Sequence, residues 1–208
     1  MMKIITISRQ FGSGGRELGK RLADELGFDY YDKEIISAIA QKQGLDEQYI
    51  ETALNHQGWR SVPLTFRRSF SYLGGNNAHV NLLVEEKKVI ENIAKMGKDC
   101  VIVGRNADIL LAEEKPFNIF VCADMQSKVR RCKERAEMGE NLSDKEVESN
   151  IRSIDKNRAK TRKLLTDSPW GESETYHVTL NTTDWEIKEL VPAVKELAMR
   201  YWEKEKCK

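Results

Sequence analysis

The sequence lacks any apolar run near the ~20 residues needed to span a bilayer, which excludes an integral membrane protein. It lacks a charge excess: 34 basic against 33 acidic residues leave a net charge of +1. Nothing in that balance points to a nucleic-acid polymer or an anionic membrane as partner. Its four cysteines, Cys100, Cys122, Cys132 and Cys207, form no CxxC pair, and its three histidines, His56, His79 and His177, lie far from them in sequence. No structural zinc or other resident metal site is therefore expected. A Ser-His-Asp or Cys-His set for nucleophilic catalysis is missing as well. The opening Met1–Ser8 segment has no A-x-A-like cleavage site and does not read as a signal peptide. Reduced thiols in a cytoplasmic protein are the expectation. There is no internal repeat and no low-complexity stretch.

What is there is a chain of 208 residues, 40% hydrophobic, enough for one domain with a real core. Lys3–Ile7 is a β-branched run of the kind found in a buried parallel strand. A glycine-rich turn follows, and then Arg16–Leu26 carries Leu18, Leu22 and Leu26 on one helical face, with Gly27 as its stop. Phe28–Tyr31, Cys100–Val103, Phe117–Cys122 and Tyr176–Leu180 read as further strands. Lys33–Lys42, Val80–Met96, Gln126–Glu137, Asp144–Leu165 and Trp185–Lys204 read as helices, the last despite Pro192. Ser143 and Glu146 have capping-box spacing. Leu45–Asn77, punctuated by Pro63 and Gly74-Gly75, has no clear period. The alternation is that of a doubly wound α/β domain.

Three segments carry potential chemistry. Gly12-Ser13-Gly14-Gly15 sits between the first strand and the first helix, where backbone N–H groups and the positive helix end can converge on an anion. The run is not a full Walker A motif, because Gly15-Arg16-Glu17 stands where the Lys-Ser/Thr ending is expected. Second, Gly104-Arg105-Asn106-Ala107-Asp108 closes a buried strand, and ligands of open parallel sheets bind outside the carboxyl ends of strands. Arg105, Asn106 and Asp108 are thus candidates to meet one, or else a helix cap beside a solvated arginine. Third, Ile151–Lys163 holds six positive charges against the single Asp155. At about 100° per residue Asp155, Arg158 and Arg162 share a face, which awaits either an anion or solvent. Arg130, Arg131 and Arg135 on the preceding helix could join it.

Together, Ile5-Thr-Ile-Ser8 with its glycine loop, Gly104–Asp108, Arg130-Arg131 and Asp155-Lys-Asn-Arg158 resemble the cytidylate-kinase-like branch of the P-loop nucleoside monophosphate kinases. The resemblance runs from Ile4 to about Leu190 and is weakest between Leu45 and Val80. It implies a P-loop kinase-like three-layer α/β fold with a parallel five-stranded sheet and a helical lid. It implies one domain over 1–208, with an acceptor-binding insert near 33–96 and a mobile lid near 130–163. The implied reaction moves the γ-phosphoryl of ATP, with Mg²⁺, to a nucleoside monophosphate such as CMP or dCMP. By the same resemblance Gly12, Ser13, Gly14, Gly15, Arg16 and Glu17 hold the donor phosphates. Asp32, Lys33, Arg105, Asn106, Asp108 and Asp155 serve the acceptor, and Arg131, Arg158 and Arg162 neutralise the transferring group. Arg67 and Arg68 are candidates for the acceptor phosphate on no motif match. Where the motif lysine is missing, Arg16 is the nearest replacement cation and Arg9 the next. Glu17 replaces a magnesium-holding hydroxyl and either reaches the metal through water or complements the helix end. The rival expectations are a kinase for another small acceptor, such as a nucleoside, and a nucleotide-binding regulatory protein without transferase activity.

Overall fold

The computed structural model of the protein describes residues 2–32, 76–136 and 142–206. Five parallel strands form its sheet: β1 (Ile4–Arg9), β2 (Asp29–Tyr31), β3 (Cys100–Val103), β4 (Phe117–Cys122) and β5 (Val178–Asn181), in the order β2-β3-β1-β4-β5. The order reverses beside β1, which pairs with β3 on one side (Ile4 opposite Cys100) and β4 on the other (Ile5 opposite Phe117). This is the crevice-forming arrangement of doubly wound sheets, and it puts the glycine loop at the switch point.

The period-2 alternation of the strands divides the core into two layers. Ile5 and Ile7, Val101 and Val103, and Phe117, Ile119 and Val121 point to α1 (Gly15–Leu26) and to the C-terminal helix, where Leu18, Leu22, Val194, Ala198 and Trp202 complete the packing. Ile4, Cys100 and Ile102 point the other way. They meet Val89, Ile90 and Ile93 of α2 (Asn76–Lys95) and Leu111, which follows the short α3 (Ala107–Leu110). Burying one such aliphatic side chain is worth about 1.5–3 kcal/mol, so these layers fix strand register before any polar contact does. A third cluster joins α4 (Met125–Glu134) to α5 (Asp144–Leu165): Val129, Cys132, Val147, Ile151 and Ile154 close over Phe11 of the glycine loop.

Local sequence accounts for most element ends. Gly27 stops α1 in a left-handed conformation (φ 67°), and its N–H reaches back to Asp24. The Ser143–Glu146 capping box opens α5, with Glu146 accepting the Ser143 N–H at 2.8 Å. α6 (Ile187–Lys206) carries Pro192 inside it. The first strand continues to Arg9, two residues beyond the β-branched run, because its Ser8 and Arg9 still pair with Phe120 and Val121. The expected Lys33–Lys42 helix lies outside the described residues. Among the described residues no helix is long and apolar enough to cross a membrane. Cys100, Cys122 and Cys132 are free thiols, and burial pushes Cys100 and Cys132 up to about 12, so both behave as core side chains.

Candidate active site

The glycine loop leaves β1 with Gln10 N–H bonded to Val121 O at 2.9 Å and turns at once into α1. Gly12 and Gly14 are left-handed (φ 76° and 82°), and both lie against protein. A Cβ on Gly12 would stand 2.9 Å from Lys128 O of α4, and one on Gly14 would stand 2.3 Å from Ile187 Cδ1 of α6. The loop is thus clamped between two helices. Ser13 is fully buried, and its Oγ donates to Gln10 O at 2.8 Å. Gly14, the N-cap of α1, has no side chain to satisfy the first-turn amides, so these remain available to an anion. Thr182, beyond β5, fastens the loop from below by donating to Ser13 O at 2.7 Å.

The helix α5 grips the same loop. Asp155 Oδ1 accepts the Phe11 N–H at 2.8 Å, and Arg158 Nη1 donates to Arg9 O at 2.9 Å and to Asp155 at 3.1 Å. Burial raises the Asp155 pKa, and the Arg158 charge and the Phe11 N–H oppose that rise. The Arg158 guanidinium also lies 5.6 Å from the Phe11 ring centre.

The strand ends supply the rest. After β3 the chain passes through three successive left-handed residues, Gly104 (φ 86°), Arg105 (φ 57°) and Asn106 (φ 52°). Left-handed geometry at an arginine is costly, and such strain concentrates at ligand sites. Arg105 Nη2 is 2.8 Å from Glu86 of α2, a carboxylate only 2% exposed. Asn106 caps α3 without a side-chain bond. Asp108, Arg162 and Tyr176 form a buried polar knot: Arg162 Nη1 donates to Asp108 Oδ2 at 2.7 Å, and its guanidinium lies 5.4 Å from the Tyr176 ring centre. Asp108 Oδ1 is buried with no hydrogen-bond partner among the described residues. At the end of β2, Asp32 accepts from Arg16 Nε at 2.8 Å and Nη2 at 2.6 Å. Burial, and then the Asp32 charge, hold the nearby Tyr30 hydroxyl well above its usual range.

Gly12–Glu17, Arg105, Asn106, Asp108, Asp155 and Arg158 therefore gather around one end of the sheet. Arg131 is turned away from solvent: its guanidinium donates to Thr182 Oγ1 at 3.1 Å, Thr182 O at 2.6 Å and Trp185 O at 3.0 Å. Glu17 accepts from Arg21 at 2.8 Å and also from Arg135 at the end of α4. Lys33, Arg67 and Arg68 lie outside the described residues. Sequence reasoning passed over Glu86 and Thr182. Glu86 did leave a signal, being an acid in the same helical stripe as Ile90 and Ile93, where an apolar residue is expected. Thr182 had only its place after the last strand.

A family model described as the cytidylate kinase-like family matches residues 4–184. Among solved structures, an uncharacterized protein from Eubacterium ventriosum superposes with a TM-score of 0.70 at 22% identity, covering 95% of this chain and 98% of that one. A shikimate kinase from Acinetobacter baumannii in complex with shikimate gives 0.55 at 14% identity (97% and 95%). One from Bacteroides thetaiotaomicron gives 0.54 at 15% identity (95% and 98%). At these identities the shared property is the fold, a parallel five-stranded α/β kinase architecture. No curated protein matches the sequence.

Proposed function

We propose the following for this chain, which belongs to the cytidylate kinase-like family: it transfers the γ-phosphoryl group of ATP to a nucleoside monophosphate, CMP or dCMP. The observation that carries the reading is the placement of an uncapped helix start, at Gly14–Arg16, beside the strained Gly104–Asn106 turn at the sheet's switch point. One element suits the phosphates of a donor, and the other brings Arg105 and Asn106 to an acceptor across the same crevice.

In the proposed reaction the acceptor phosphate oxygen forms a bond to the γ-phosphorus. The bond to the bridging oxygen breaks, and its electron pair leaves with ADP. Such a transfer needs alignment and charge neutralisation rather than a protein nucleophile. The chain's part is to hold the two nucleotides in line, with loop amides on the donor and Arg105 facing the acceptor. Asp155 and Arg158 support this by bracing the loop at Phe11 N–H and Arg9 O. A magnesium ion would neutralise the donor's phosphates. The residues present fit an ion held mainly by those phosphates and water, since the Glu17 carboxylate is engaged by Arg21 and Arg135.

One observation favours a second reading, a nucleotide-binding regulatory protein. Arg16, Arg131, Arg158 and Arg162 all bond to groups of the chain itself. A coupled assay of ADP production across CMP, dCMP, the other common nucleoside monophosphates and free nucleosides decides. Turnover highest with CMP or dCMP supports the kinase. ATP binding without turnover on any acceptor establishes the regulatory reading instead.

A further inference from the structure

We infer that Arg9 replaces the missing P-loop lysine, and that its guanidinium, delivered across Gly15 to Gly104, contacts the β- and γ-phosphates of the bound nucleotide. The inference deepens the proposed nucleotide site and rests on that reading.

Gly15 occupies the position where the motif carries lysine. It has ordinary helical geometry, so no backbone demand explains a glycine there. The space around it does. A Cβ on Gly15 would lie 2.7 Å from Arg9 Cβ, 3.0 Å from Arg9 Cγ and 3.3 Å from Val121 Cβ. The stem of Arg9 thus runs through the volume from which a lysine at this position would emerge. At the far end the same side chain meets a second glycine. A Cβ on Gly104 would lie 1.7 Å from Arg9 Nη1 and 2.8 Å from its Cζ. Two glycines, from different elements and far apart in sequence, are both shaped around one arginine.

The destination matters as much as the path. Gly104 directly follows β3, the neighbour of β1, so the guanidinium sits at the carboxyl ends of two adjacent strands beside the helix start. It is close enough to Tyr30 on β2 for its charge to lower that hydroxyl's pKa against the opposing effect of burial. The backbone of Arg9 is pinned as well. It pairs with Val121 in the sheet, and its carbonyl accepts from Arg158 at 2.9 Å. A side chain launched from so fixed a point needs little further ordering to meet a ligand.

Lys128 and Arg158 brace the loop itself, donating to Gln10 Oε1 at 3.1 Å and to Arg9 O at 2.9 Å. Arg16 lies on Asp32 at the end of β2, and Arg131 on Thr182 and Trp185. Arginine also suits a phosphate site, because it stays protonated throughout and its planar fork can donate to two phosphate oxygens at once. As the bridging oxygen takes the electron pair, a fixed cation beside it counters the charge that develops there.

The test uses the full chain and isothermal titration with ATP, ADP and AMP. Arg9→Gln keeps most of the stem and removes the charge. It should weaken ATP and ADP about ten- to a hundredfold, the loss expected for one charge-assisted contact, and leave AMP unchanged. The decisive variant moves the cation: Arg9→Ala with Gly15→Lys empties the stem's volume and fills it from the motif position. This double variant should bind ATP more tightly than Arg9→Ala alone. Parental ATP affinity in a folded Arg9→Gln protein overturns the inference, as does a double variant no better than Arg9→Ala. The outcome separates from that of the proposed function. A parent that binds ATP but transfers nothing defeats the kinase reading while the Arg9 comparison still stands. A parent that turns over and is indifferent to Arg9→Gln defeats Arg9 alone. A parent that binds no ATP overturns both.

Discussion

Arg162 Nη1 lies 2.7 Å from Asp108 Oδ2, and the two side chains are only 1% and 3% exposed. The pair ties the last turns of α5 to the short helix after β3, across 54 residues of sequence. Arg162 also donates to Ser168 O at 3.0 Å, so its charge is both paired and hydrogen-bonded. A cation held this way belongs first to the architecture of the site.

That assignment sets its cost. Arg162→Ala leaves the Asp108 carboxylate buried without its counter-ion, and breaking such a pair is worth about 3–5 kcal/mol. Urea unfolding should show a loss of that order. Replacing both partners, Arg162→Met with Asp108→Leu, should recover much of it, because two matched apolar groups remove the stranded charge. Parental stability in Arg162→Ala would show instead that the arginine turns outward in solution and is available to a ligand.

Arg16 should behave differently from Arg9. Its guanidinium is bound to Asp32, a side chain 2% exposed, and is directed to the end of β2 rather than across the loop. Arg16→Ala should lower the melting temperature by uncovering a buried carboxylate, yet leave ATP affinity at the parental level. Arg16→Lys should restore part of the stability, since a point charge does not reproduce the two-point contact. A selective loss of ATP binding at unchanged stability would move Arg16 into the phosphate site.

The histidine just before β5 predicts a pH dependence. His177 stacks on Phe117 and approaches Tyr201, and its Nδ1 accepts the Asn118 N–H at 2.9 Å. Burial lowers its pKa against the opposing charge of Glu205. The unfolded chain, with a histidine near the ordinary value of about 6.5, therefore binds more protons than the folded one just below that pH. Stability from this residue is complete above about pH 6.5 and is lost as pH falls towards the depressed folded value. Melting curves between neutral and mildly acidic pH should show the parent losing more stability on acidification than His177→Gln. Parallel curves would mean that the ring titrates in the folded state as it does in the unfolded one.

Much of this protein was legible along the chain. Strand and helix identities follow from local patterns: β-branched runs for β1 and β3, a largely apolar run for β4, four-residue leucine spacing for α1, a capping box for α5 and a glycine stop after Leu26. These are short-range effects, each set by a few neighbouring side chains. The glycine loop and the Gly104–Asp108 turn were legible for the same reason, since a turn needs its residues in sequence.

What each charged side chain does was decided only by the tertiary structure. Arg16, Arg131, Arg158 and Arg162 are alike in sequence, each a cation on a helix. Their partners are respectively a strand-end carboxylate, two carbonyls beyond β5, the backbone of Arg9, and a buried aspartate. Arg158 also meets Asp155 within its own helix, but no local pattern selects the partners just named, because each comes from another element of the fold. The same holds for Gly15. By itself it reads as a lost lysine, and only the packed sheet, which lays the Arg9 stem against it and the guanidinium against Gly104, gives the glycine a reason. Local propensity sets the elements, whereas the destination of a long, flexible, charged side chain depends on which strand ends the fold brings within its reach.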